Sequence, residues 1–223
     1  MITHQSDSDL KKDILDELKW NSQIRETDIG VIVKDGAVTL TGTVPSYAQK
    51  TAASKAAKLI KGVRAVADEI EVKLPSQMQG TDKDIAEEIS RSFEWSTQIP
   101  ADDIKAEVRS GFVTLTGNVD WQYQRDSAQK QVETLKGVRM VLNNINIRKR
   151  ASVPNIKSEI AKALHRHASI EANNVNIAAL DGTVTLSGNV DNYFERGLIE
   201  NAVWSAPGVT KVVDKLTVTS DFD

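Results

Sequence analysis

The chain has 223 residues, of which 40% are hydrophobic, 26% charged and 5% aromatic, with a formal net charge of −3. This is ordinary globular composition, and it excludes a disordered, collagenous or membrane-embedded chain. The sequence has no cysteine, which excludes disulfides, thiol catalysis, iron–sulfur clusters and cysteine-ligated zinc. No apolar run approaches the roughly 18 residues needed to span a bilayer.

One segment occurs three times, as DGAVTLTGTV (Asp35–Val44), SGFVTLTGNV (Ser110–Val119) and DGTVTLSGNV (Asp181–Val190). A Gly-Val pair follows each copy at the same distance, as Gly62-Val63, Gly137-Val138 and Gly208-Val209. A fixed period of this kind identifies a repeated structural unit. Domains are expected over residues 7–75, 80–150 and 154–220, joined by short linkers at Pro75–Thr81 and Arg150–Pro154.

Each unit opens with an apolar stripe at i, i+4, i+8: Leu10, Ile14, Leu18, then Ile85, Ile89, Phe93, then Ile156, Ile160, Leu164. That spacing predicts an amphipathic helix. Ser8 is the expected N-cap of the first copy, and Thr81 with Asp84 has the form of a capping box in the second. Trp20 and Trp95, at the helix ends, are expected to pack against neighbouring strands or the next domain. Period-two alternation follows, in Ile29, Val31, Val33 and then Val38, Leu40, and predicts two strands with one buried face. Asp35-Gly36 and Asp181-Gly182 between the runs are tight-hairpin signals, and Ser110-Gly111 is a weaker form. Gly42 is expected to mark a bend or a close helix approach. A second helix is expected over about Ser46–Lys61, ending at a Gly62 cap. A third strand carries Val66, Ile70 and Val72, and its helical crossover predicts parallel pairing. The fold class is therefore α+β: three tandem α-β-β-α-β units, each a small three-stranded mixed sheet covered on one face by two helices.

This element order, with the G-x-V-T-L-x-G-x-V hairpin and the later Gly-Val, resembles the BON domain (bacterial OsmY and nodulation) family, three times over nearly the whole chain. The resemblance implies a non-enzymatic, envelope-, osmotic-stress- or transport-associated binding module that attaches to phospholipid surfaces. A small-cation role is implied through relatives. The N-terminus MITHQSDSDLKKD has neither a basic n-region nor an apolar h-region, and no lipobox cysteine is present. A cytoplasmic location is expected, or a periplasmic one if the N-terminus is trimmed.

Catalytic and metal constellations are not expected. Gly36 and Gly42 are separated by strand residues, and no Gly-Lys-Ser/Thr follows, so the hairpin is not a phosphate loop. His165 and His167 fall about 200° apart on a helix, a geometry ill suited to a shared metal. His4 stands alone near the N-terminus, and the Ser8/Lys11 string has no accompanying catalytic element. No cofactor is expected.

Charge is more informative. Residues 7–75 carry 11 positive and 11 negative side chains and residues 76–150 carry the same numbers, so no copy is basic overall and nucleic acid is not an expected partner. Between Gly36 and Ala67, however, stand Lys50, Lys55, Lys58, Lys61 and Arg64 with no acid among them. The four lysines cover about 140° of a helical wheel opposite an alanine-rich face. They are the candidate contacts for an anionic surface, each worth about 1 kcal/mol near headgroups. Aromatics and a following cation recur at the start of the second helix: Tyr47 with Lys50, Trp121 and Tyr123 with Arg125, Tyr193 and Phe194 with Arg196. Such pairs suit membrane and protein interfaces alike. The readings carried forward are docking on anionic phospholipid, a soluble protein-interaction scaffold, and a small-cation or small-ligand sensor. The sequence leaves the oligomeric state open.

Overall fold

The computed structural model describes residues 6–148, 156–166 and 175–218. His4, His167, the side chain of His165 and the linker Arg150–Pro154 lie outside the described residues. Module 1 runs α1 (Asp7–Trp20), β1 (Ile29–Lys34), β2 (Ala37–Val44), α2 (Tyr47–Leu59) and β3 (Ala65–Val72). Module 2 repeats it as α3 (Asp82–Trp95), β4 (Ile104–Arg109), β5 (Phe112–Val119), α4 (Gln122–Glu133) and β6 (Met140–Ile147). Module 3 follows as α5 (Ile156–His165), β7 (Val175–Leu180), β8 (Thr183–Val190), α6 (Tyr193–Trp204) and β9 (Lys211–Val218).

Each sheet has three strands with the second in the centre, antiparallel to the first and parallel to the third. The alternation of β2 turns Val38, Leu40 and Val44 inward, and β1 adds Ile29 and Val31. The stripe Leu10, Ile14, Leu18 of α1 and the alanine face Ala53, Ala56, Ala57 of α2 cover that side of the sheet. Alanines let a helix approach the sheet closely, and each buried Leu or Ile contributes about 1.5–3 kcal/mol. The same pattern builds a second core on Ile89 and Leu115 and a third on Ile160 and Leu186.

The hairpin turns need left-handed backbone at both central positions, with φ of 50° at Asp35 and 73° at Gly36, and 52° and 80° at Ser110 and Gly111. Gly42 marks a close approach of backbone: a Cβ there would clash with the carbonyl oxygen of Asp28, the last residue of a short 3-10 helix (Glu26–Asp28) that leads into β1. A contact that no local pattern signals fixes each turn. The carboxylate of Asp7, in the first turn of α1, accepts from the N–H groups of Asp35 (2.9 Å) and Gly36 (3.2 Å). Asp82 accepts from Ser110 (2.7 Å) and Gly111 (2.9 Å) in the same way.

Three local expectations are corrected. Ser6, not Ser8, caps α1, because Asp9 at the third helical position completes the reciprocal box with it. α2 stops at Leu59 with Ile60 already extended, so Lys61 lies beyond the helix and Gly62 (φ 94°) shapes the turn that follows it. Trp20 and Trp95 do not pack on strands or on the next domain: they are 87% and 85% exposed. Each stands two residues past the last buried position of its stripe, about 200° around the helix, which is the solvent side. Thr81 and Asp84 form the capping box as expected.

The clamp on the second turn is testable. Replacing Asp82 by alanine removes a charged acceptor from two backbone donors, and the variant is expected to lose about 1–3 kcal/mol of stability in chemical denaturation.

Candidate functional site

The candidate site is the start of the second helix in each module. Ser46 caps α2 by accepting from Gln49 N (3.3 Å), and Asn192 caps α6 by accepting from Glu195 N (2.8 Å). Trp121 occupies the equivalent position of α4 and offers no such oxygen. The Gln124 side chain replaces it, accepting from the N–H groups of Asp120 and Trp121, each at 3.0 Å.

The next residue in each copy, Tyr47, Gln122 or Tyr193, reaches out of its own module. Tyr193 packs against the core of module 1, and its hydroxyl donates to the Arg64 carbonyl at 2.7 Å. Tyr47 packs against the core of module 2 and hydrogen-bonds to the backbone of Val141; burial pushes its phenol above the usual value. Beside it Lys55 Nζ lies 3.6 Å from the buried carboxylate of Glu133. In module 2 the start of α4 faces Asn201, Trp204 and Ser205 at the end of α6, and Trp204 packs against the second and third cores together. Each module thus presents the start of its second helix to the end of the next one's, in the order one to two, two to three, three to one. The aromatics that read as an outward interface are largely the joints of the protein itself. Tyr123 and Phe194 remain exposed, and Trp121 is half-buried.

The cations divide. Lys50, at the margin of the basic arc on the wheel, turns toward the sheet: its Nζ donates to the Ile70 carbonyl (2.7 Å) and lies 3.5 Å from Asp68. Arg196 makes the equivalent pair with Asp214 at 2.6 Å, its guanidinium 5.7 Å from the Tyr193 ring centroid. Arg125 stands at the same position, but Asn143 replaces the aspartate. The Asn143 amide donates to the Arg125 carbonyl and to Gln129, both at 3.1 Å. Lys58, Lys61 and Arg64 are exposed around the end of α2, with Leu59 between them 52% exposed. Glu133 and Trp204 were not readable as partners in the sequence. The available signal was that Lys58, Glu133 and Trp204 are repeat-equivalent yet chemically unlike, as interface positions often are. Among the described residues no group of three or more His, Asp or Glu side chains is arranged to hold a metal, and no helix is long and apolar enough to cross a membrane.

Asp126 borders the joint between modules 2 and 3. Half-buried, its carboxyl is pushed above the ordinary value by desolvation, which outweighs Lys130, Arg125 and the hydrogen bond from Gln122 (2.9 Å). The folded state therefore holds this proton more tightly than the unfolded one, and ionisation removes stability as pH rises through and above the ordinary carboxylate range. Asp126→Asn keeps the oxygen that accepts from Gln122. It is expected to melt higher than the parent at about pH 7, and the difference should close as pH falls toward about 4 in thermal melts.

The model of the BON domain family matches residues 6–73, 81–149 and 152–220. The chain is 35% identical over 131 residues to osmotically-inducible protein Y of Escherichia coli (strain K12), covering 56% of this chain and 64% of that protein's length. Two solved structures of CdsD, a structural protein of the type III secretion system of Chlamydia trachomatis, align at 12% and 13% identity. They cover 96% and 95% of this chain, and 94% and 98% of their own, at TM-scores of 0.28 and 0.26, too low to carry weight. The three family matches account for nearly the whole sequence, and the chain belongs to the BON domain family, with three copies of the domain in tandem.

Proposed function

We propose that this chain is a non-enzymatic, osmotic-stress-related binding protein that docks on anionic phospholipid surfaces through the end of α2. The observation that carries this reading is the group Lys58, Lys61 and Arg64, exposed and without an ion-pair partner among the described residues, set around the half-exposed Leu59. Three such cations offer about 3 kcal/mol near an anionic surface. Partial insertion of Leu59 adds to that and does not depend on charge. Lys50 is committed to Asp68 and Ile70, and Lys55 to Glu133, so neither is central to the docking group. The similarity to an osmotically inducible protein supports the stress-related setting.

A second reading, a scaffold for a protein partner, is favoured by Trp20 and Trp95. These rings stand at equivalent positions of modules 1 and 2, almost wholly in solvent, and tryptophan is enriched among residues that dominate protein interfaces.

Co-sedimentation with phosphatidylglycerol and with phosphatidylcholine vesicles, at low and moderate salt, tests the first reading. Binding is expected on the anionic vesicles alone and is expected to weaken as salt rises. The triple variant K58E/K61E/R64E should abolish it. Absence of the intact protein from the anionic pellet at low salt would overturn lipid docking, and W20A/W95A would then be compared with the parent for loss of a protein partner.

A further inference from the structure

The three joints are built alike except at the one between modules 2 and 3. There a cleft of about 800 Å³ opens between β6 and the first residues of β8 and β9. Its size is that of a small-molecule site. Two substitutions relative to the other joints accompany it. Gln122 stands where Tyr47 and Tyr193 complete the other joints. It bonds back to Asp126, while its own Oε1 is buried without a hydrogen-bond partner. Thr210, the equivalent of the Arg64 that receives the Tyr193 hydroxyl, is left lining the cleft.

The second change is electrostatic. The strand that lines the cleft reads Asn143, Asn144 and Asn146 where module 1 has Asp68, Glu69 and Glu71. Three carboxylates have become amides, among them the equivalent of Asp68, the one that pairs with the second-helix cation in module 1. Arg125 lines the cleft with its guanidinium unengaged by any ion pair among the described residues, whereas its equivalents Lys50 and Arg196 are paired with Asp68 and Asp214. Lys211 lines the facing side, and Asn144, Asn146, Thr183 and Thr210 complete the polar wall. Among the described residues no carboxylate lines this cleft. Asp126, which follows Arg125 in the chain, accepts from Gln122 and borders a separate, smaller cleft.

We infer that this cleft is a binding site for a phosphate group, seated on Arg125 and Lys211 with the amides of Asn144 and Asn146 and the hydroxyl of Thr183 as neutral donors. A guanidinium forms paired, charge-assisted hydrogen bonds to phosphate. Two cations without a facing carboxylate repel metal ions and select an anion. The site is distinct from the end of α2 and does not depend on the proposed docking there.

The phosphate has two sources, a soluble phosphate compound or a lipid headgroup, and two arms separate them. Inorganic phosphate, exchanged against chloride at constant ionic strength, and phosphatidylglycerol vesicles are each offered to the intact chain and to two variants. Arg125→Gln removes the cation. Asn143→Asp restores the carboxylate that modules 1 and 3 carry and is expected to fold, since both of those copies fold around it. Calorimetric titration should show saturable phosphate binding by the parent, weakened about tenfold or more in each variant. Weakening in the phosphate arm with unchanged vesicle binding assigns a soluble phosphate, and weakening of vesicle binding by the same two changes assigns a headgroup; either result supports the site. Saturable binding that neither variant alters overturns it, as does a parent that binds neither probe saturably. K58E/K61E/R64E is expected to leave the calorimetric response intact, so failure of surface docking and failure of this site are told apart.

Discussion

The core of each module is one face of a sheet roofed by two helices, and the roof ends at the corner where the second helix turns into the third strand. A domain of about 60 residues buries only about 60% of the surface its unfolded chain exposes, so an uncovered corner is a substantial fraction of its stability. The neighbour covers it. Tyr193 lies against the core of module 1 and fastens to the Arg64 carbonyl, and Tyr47 does the same for module 2 through the backbone of Val141. A tyrosine suits the task because its ring supplies apolar area and its hydroxyl satisfies a backbone group that would otherwise be left without a partner. The positions of the starts of α2 and α6, and with them Lys50 and Arg196 one turn further on, follow from this docking.

One scaffold position then yields three different electrostatic outcomes. Lys50 and Arg196 face an aspartate across a short gap and serve to lock the second helix on the third strand. Arg125 has the same backbone placement with an asparagine opposite, so the lock becomes a hydrogen bond to its carbonyl and the charge is released toward the cleft. Repetition makes this legible: two copies show what the geometry does when the charges balance, and the third shows what remains when they do not.

The fold was legible because its signals are local. The stripe Leu10, Ile14, Leu18 fixes which side of α1 is buried, and Asp35-Gly36 fixes the turn by its need for positive φ. The parallel third strand follows from the length of the crossover. The site was legible only in part. The wheel placed Lys50 and Lys55 on an outer face, because a wheel knows nothing of Asp68 on the next strand or Glu133 in the next module. Trp20 was misread because a large apolar ring at a helix end invites a buried place, while its angle to Leu18 points to water. The clamp of Asp7 on the hairpin joins residues 28 and 29 positions apart, beyond the reach of any turn motif.

The joints are head-to-tail: the start of a helix on one module meets the corner of the next. Contacts of this kind either close into a ring or propagate without limit. With three modules on one chain the last tyrosine returns to the first module, and every corner has an occupant. A chain of two such modules would carry one tyrosine with no corner and one corner with no tyrosine, and could satisfy both only by recruiting another chain. Covalent linkage of the third module replaces that bimolecular step with an intramolecular one, so closure is independent of protein concentration.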